Sequence, residues 1–318
     1  MEIISSFAAA LANPNVPFIR YALIAGLLSS AAFGMVGSIV VVRRISYVAG
    51  AISHAALAGL GAALYFSEVH SVQWITPMLG ATIVAVGCAW VIAFVTLYAA
   101  EREDTIIGAI WAVGMAVGLI FINRTPGYVD AMSYLFGNIL LVGRTELETI
   151  GILSLVTVSV VIVFFPQIQS FCFDELYATT RGVPGAFFTL LLYTVSAITV
   201  VLMVQTIGIV MVIAMLTLPA ATAGLIARRL RTMMVLGILL CALANTTGLA
   251  VSYHLNLPTG PTTIILSGIL YATVLIVRSI AHRRRSLVVV SDQTVTNLVN
   301  AGACTPSLPP QQQQQPTD

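Results

Sequence analysis

The apolar residues of this chain fall in unbroken blocks of membrane-crossing length, and that pattern removes most folds from consideration. A helix rises 1.5 Å per residue, so about 20 apolar residues cross a hydrocarbon core about 30 Å thick. Nine blocks fit: Tyr21–Val42, Tyr47–Phe66, Ile75–Ala100, Thr105–Ile122, Thr149–Phe165, Ala186–Val204, Ile207–Ala227, Met233–Ser252 and Thr262–Val277. The least marked break is the one at Gln205–Thr206. Short hairpins join the blocks and leave no room for a large soluble domain. Only 8% of the residues are charged and 58% are hydrophobic, too little charge to cover a water-soluble domain of 318 residues. The predicted fold is all-α, a polytopic membrane helix bundle of about nine spans.

Charge placement orients the bundle. All 14 basic residues are arginine. With the N-terminus outside, the inner loops and tail hold Arg43, Arg44, Arg102, Arg181, Arg228, Arg229, Arg231, Arg278, Arg283, Arg284 and Arg285. The outer side holds only Arg20, Arg124 and Arg144. Basic residues collect on the cytoplasmic side of membrane proteins, so the C-terminus is predicted in the cytoplasm. Residues 1–20 form an outer segment whose first 19 residues carry Glu2 and no basic residue, unlike the start of a secretory signal. Residues 21–282 form the membrane domain. Residues 283–318 turn polar and end in Pro309–Pro310, five glutamines and Pro316; they are predicted to be a disordered cytoplasmic tail. Cys88, Cys172, Cys241 and Cys304 are scattered without a CxxC pair, which argues against cysteine ligation and redox chemistry.

The longest inner loop, Pro166–Gly185, spells out a short helix. Asp174 is an N-cap, Glu175 faces the positive end of the helix dipole, and Arg181 sits in the last turn. Gly182 then fits the C′ position, with Pro184 as a stop. A helix of about two turns is marginal alone in water, so the bundle or a cytoplasmic partner must hold it.

Within the nine spans the one residue of the Asp, Glu, Lys, Arg or His types is His54. It lies ten residues past Arg44, hence about 15 Å deep and near the midplane. An ionisable group there reads as a pathway or ligand residue, and imidazole suits Zn²⁺ and other transition metals. The alternative is a neutral imidazole bonded to a neighbouring carbonyl or hydroxyl, such as that of Ser53. Both readings stand on the sequence. Gly50, His54, Ala58 and Ala62 recur every four residues, a small-residue face that lets helices approach closely. His254, in SYHLNLPTG at the outer end of the eighth span, is either a cation entry residue or a polar interface residue. Glu68, His70 and Asp130 lie in outer loops. Met211 and Met215 read as core packing. No GxxxxGK[ST] phosphate loop exists, since the chain has no lysine, and no GxSxG, HExxH or paired-carboxylate motif occurs. The chain therefore reads as a transport subunit rather than an enzyme, and any ATP-driven cycle needs a separate ATPase.

Five segments in order carry a family resemblance: RRISYVAGAISHAALAG (Arg43–Gly59), SYLFGNIL (Ser133–Leu140), DELYATTRGVP (Asp174–Pro184), IGIVMVIAMLTLPAATA (Ile207–Ala223) and GLAVSYHLNLPTGPTTIIL (Gly248–Leu266). Together they resemble the ABC-3 family, the membrane permeases of bacterial zinc, manganese and iron ABC importers. The resemblance implies a type II ABC importer-like arrangement in the bacterial inner membrane. It implies a second permease subunit, same or homologous, and cytoplasmic ATP-binding subunits that grip the helix at Asp174, Glu175, Arg181 and Gly182. An external metal-binding protein would deliver the ion, and the chain would hold no cofactor of its own. His54 and His254 would then line the metal pathway, with Gly50, Ser53 and Ala58 packing beside it. Gly50 and Asn256 depart from the pattern, standing where many members carry an acidic residue. A permease for a metal chelate or vitamin, or a secondary metal carrier, is the alternative reading.

Overall fold

The computed structural model describes residues 17–71, 74–98, 103–126, 135 and 143–302. Eleven helices and no strands appear among them: α1 Pro17–Val42, α2 Ser46–His70, α3 Pro77–Tyr98, α4 Glu103–Arg124, α5 Arg144–Val163, α6 Phe165–Phe173, α7 Glu175–Thr180, α8 Gly185–Ile207, α9 Ile209–Ile226, α10 Leu230–Leu255 and α11 Thr259–Gly302. Eight of them are long and apolar enough to cross a membrane, and α8 stands where the remaining span is expected. Helices satisfy their own backbone groups, which is what hydrocarbon demands of a spanning segment.

The sixth and seventh spans do part, but at Gly208 rather than at Gln205–Thr206. Gly208 has φ 89° and ends α8 while starting α9, so one residue makes the joint. A residue with a Cβ resists that φ, and glycine does not. The turn therefore settles on the glycine instead of on the nearby polar pair.

The contacts build outward from α2. It packs broadly on α4 and α3, while α1 packs on α10, α9 and α5, and α8 lies against α3. The apolar stretch of α2 is 78% buried, against 28% for α3 and 17% for α4, so α2 is the helix walled in by the others. Lipid offers no hydrophobic force to press helices together, and close backbone approach takes its place. A Cβ on Gly114 would lie 2.6 Å from Ala55 Cα, and one on Gly118 would lie 2.6 Å from the Leu57 carbonyl carbon and 2.8 Å from the Ala58 nitrogen. These glycines are what allow α4 to touch α2. Gly118→Ala is expected to force the two helices apart at a cost of about 1–3 kcal/mol, as overpacking does. Thermal unfolding of the detergent-solubilised protein measures it.

Three connections expected on the inner side meet at one end of the bundle. Val42 of α1, Phe173 of α6, and Arg228 and Arg229 of the α9–α10 turn line one cleft of about 440 Å³. The opposite end of α10 closes on Asn256, in the left-handed region at φ 53°, whose N–H donates to the Ser252 carbonyl. Asparagine tolerates that conformation better than most residues, so its place here is that of a C-cap.

The chain divides into two units, residues 1–272 and 273–318. In the second, the backbone of α11 runs on as helix past Arg283, where the composition changes, to Gly302. No proline or glycine interrupts the sequence from Arg283 to Ala301, so nothing local stops the helix at the expected boundary. The outer segment before Pro17, the Gln-rich end after Gly302, Asp130, and all of SYLFGNIL except Leu135 lie outside the described residues.

Candidate functional site

The sequence singles out two places, and the structure builds each from a different set of helices. The first is the interior of α2. His54 is 9% exposed, and its Nδ1 is buried with no hydrogen-bond partner among the described residues. The Ser53 hydroxyl does not serve it; that hydroxyl donates to the Gly50 carbonyl at 2.7 Å. What holds the imidazole is Trp111 of α4, stacked on it with ring centroids 4.6 Å apart and planes inclined by 20°. Trp111 also reaches the position one helical turn earlier, where a Cβ on Gly50 would lie 3.0 Å from its ring. Tyr47, at the start of α2, meets the same indole at 5.5 Å. Gly50 and His54 thus lie under one tryptophan, and Ala58 continues the same face against Gly118.

His254 stands elsewhere, exposed on the last turn of α10. That helix packs chiefly on α1 and α9, so the two histidines are not brought together. Among the described residues no group of three or more His, Cys, Asp or Glu side chains is placed to cage a metal ion. Met211 and Met215 are 2% and 1% exposed, within the core.

The second place is the short helix α7. Asp174 caps it, its Oδ1 accepting from the Tyr177 N–H at 2.9 Å. Arg181 is the C-cap rather than part of the last turn, and Gly182 follows with φ 82°. The Gly182 N–H donates to the Thr179 carbonyl at 3.0 Å and the Val183 N–H to the Ala178 carbonyl at 3.1 Å. This pair of bonds is a Schellman closure, which requires the left-handed residue that glycine supplies. Arg181 folds back on Tyr177, its Nε donating to the phenol oxygen at 3.1 Å. Leu176 points outward, 78% exposed.

One residue of this second site was legible in sequence only as an inner-side charge. Arg43, in the turn between α1 and α2, pairs with Glu175 at 3.0 Å, donates to the Phe171 carbonyl at 3.3 Å, and lies 4.4 Å above the Phe171 ring. Nothing in its sequence neighbourhood points 132 residues ahead to Glu175. The contact joins α6 and α7 to the turn from which the His54 helix begins.

Beside it, burial pushes the Cys172 thiol up to about 11, with the Arg43 guanidinium pulling weakly the other way. The thiolate is the reactive form, so alkylation by N-ethylmaleimide at pH 7 is expected to run about a hundredfold slower than at an unperturbed thiol. Its rate should climb about tenfold per pH unit until about pH 11. Alkylation timed by mass spectrometry of the tryptic peptide checks this.

Similarities to known proteins agree with this architecture. Residues 15–278 match the family described as ABC 3 transport family. A Chlamydia pneumoniae protein named "Probable metal transport system membrane protein" is 35% identical, the match covering 80% of this chain and 87% of that one. The manganese transport system membrane protein MntC of Listeria monocytogenes is 30% identical, over 80% of this chain and 88% of that one. The structure of PsaBC from Streptococcus pneumoniae in complex with Fab contains a chain that superposes with a TM-score of 0.74 and 28% identity, covering 85% of this chain and 95% of that one.

Proposed function

Because the chain belongs to the ABC 3 transport family, we propose that it is the permease subunit of an ATP-driven importer of a divalent transition metal ion: zinc, manganese or iron. The observation that carries this reading is the His54 imidazole, enclosed in the central helix with one ring nitrogen unpartnered. An unsatisfied polar atom costs about 1–3 kcal/mol when buried, and a cation that binds there in passing offsets that cost. A single imidazole also suits transport. An ion held by a closed four-ligand cage does not leave, whereas one sparse ligand lets it move on.

The drive comes from outside the chain. Two cytoplasmic ATP-binding subunits would grip α7, whose six residues are too few to persist as an isolated helix and whose Leu176 is exposed. A second permease subunit, identical or homologous, would complete the path, and an external binding protein would deliver the ion. The chain would sit in the bacterial inner membrane with its C-terminus in the cytoplasm, as the arginine distribution favours. Relatives named for metal and for manganese transport support the cargo class.

Elemental analysis of cells deleted for this chain tests the proposal. The content of one divalent transition metal should fall when that metal is scarce in the medium and recover on complementation. Unchanged zinc, manganese and iron under scarcity of each would refute it.

A further inference from the structure

The His54 reading leaves one large side chain unexplained. Trp111 stands near the middle of α4, and among the described residues its indole makes no hydrogen bond of the kind that Trp90 makes to Thr194. It is instead pressed onto α2. Its ring lies 4.6 Å from the imidazole centroid, inclined by only 20°, and its Cζ3 and Cη2 come within 3.0 and 3.3 Å of where a Cβ at Gly50 would be. The absence of a side chain at position 50 is what lets the indole lie flat against the histidine one turn on.

We propose that Trp111 is a positioning residue for the metal pathway, fixing the plane of the His54 imidazole and with it the in-plane lone pair of its unprotonated nitrogen. The proposal rests on the reading of His54 given above. A metal–imidazole bond forms in the ring plane along a nitrogen lone pair, not through the ring face. An indole stacked on that face therefore blocks nothing that ligation needs. It removes the rotation about the side-chain torsions that an imidazole without a hydrogen bond otherwise keeps, since no second partner orients Nδ1. In most protein metal sites a carboxylate or carbonyl on the other ring nitrogen performs this orienting task. Here an aromatic wall does it without adding a charge to the bundle. The same wall fills the space beside His54 at position 50, so α2 can bring no second donor there. At this turn α2 offers the ion a single side-chain nitrogen.

Gly50→Ala separates this role from a merely structural one. Alanine favours the helix over glycine, but the added methyl must push the indole off its place. The test uses purified, detergent-solubilised full-length chain, titrated with Zn²⁺, Mn²⁺ or Co²⁺ alone by calorimetry, with Co²⁺ quenching of Trp111 fluorescence in a Trp74→Phe, Trp90→Phe background as a second readout for the variants that keep Trp111. Binding that disappears in His54→Ala defines the site. Trp111→Ala is expected to weaken it five- to tenfold and Gly50→Ala about threefold, while Trp111→Phe, which keeps a stacking ring, stays within about twofold of the parent. Should Trp111→Ala fail to fold, Trp111→Leu, which fills space without a stacking face, takes its place with the same expectation. Equal affinity in parent, Gly50→Ala and Trp111→Ala or Trp111→Leu overturns the positioning role and leaves His54 in the pathway. Parental chain that binds none of the three ions overturns both.

Discussion

His54→Ala is expected to lower ATP-dependent metal uptake at least tenfold, while the protein assembles and unfolds at nearly the parental temperature. The two halves of this result come from the same geometry. Removing the imidazole deletes the one side chain of the Asp, Glu, Lys, Arg or His types within the nine apolar blocks. A tenfold fall corresponds to about 1.4 kcal/mol, a modest demand on a ligand. The stability half follows from what His54 does not do. A histidine retained for structure would be hydrogen-bonded, and its loss would strand a buried partner at about 1–3 kcal/mol. Here Nδ1 has no partner among the described residues, and the Ser53 hydroxyl donates to the Gly50 carbonyl instead. Alanine gives up mainly the stack on Trp111, worth about 0.5–1.5 kcal/mol, and abolishes an unpaired buried nitrogen in return. Uptake of radiolabelled ion and a thermal melt of the same preparation read both halves. Lost stability with unchanged uptake per folded molecule would return His54 to a structural role.

Arg43→Ala is expected to separate ATP hydrolysis from transport, cutting ions moved per ATP severalfold while hydrolysis continues. The Arg43–Glu175 pair is partly open to solvent, with side chains 24% and 48% exposed, so the pair alone contributes about 1 kcal/mol or less. The bond to the Phe171 carbonyl and the guanidinium over the Phe171 ring raise the total to about 1–3 kcal/mol. That range is typical of the coupling free energy between communicating sites. The stability of the bundle, spread over many helix contacts, should barely register the change. The exchange Arg43→Glu with Glu175→Arg restores the opposite charges and should recover part of the loss, which neither single reversal does. Arg44→Gly is the control: Arg44 holds φ 60°, a conformation glycine adopts without strain, and its replacement should leave coupling intact. If Arg43→Ala and the exchange both transport at the parental ratio, the contact is not the link between α7 and α2.

Local signals were readable in the sequence wherever the physics is local. Helix length follows from apolar block length, so the spans stand close to where they were expected. The closure of α7 follows from Asp174 and Gly182, two residues whose roles depend on neighbours within a turn. The break at Gly208 was displaced because polarity at Gln205–Thr206 is a weaker stop than a glycine that turns the chain. What could not be read was pairing between distant helices. Trp111 gives no sign in its own span that it covers His54, although the glycine one turn before the histidine leaves room that some large side chain must fill. In the sequence Arg43 is one more inner charge, because a charge run reports sidedness and is silent about which partner it meets. His54 and His254 stand in different parts of the bundle, which their residue types alone do not reveal. The packing of α10 on α1 and α9 separates them, and Asn256 beside His254 serves as a helix cap.

The most direct measurement is ATP-dependent accumulation of Mn²⁺, Zn²⁺ or Fe²⁺ in proteoliposomes holding this chain with the ATPase that co-purifies with it. The account predicts accumulation of at least one of these ions that needs ATP and is lost in His54→Ala vesicles. Equal accumulation with the ATPase omitted, or none of the three ions moved by the intact assembly, would contradict it.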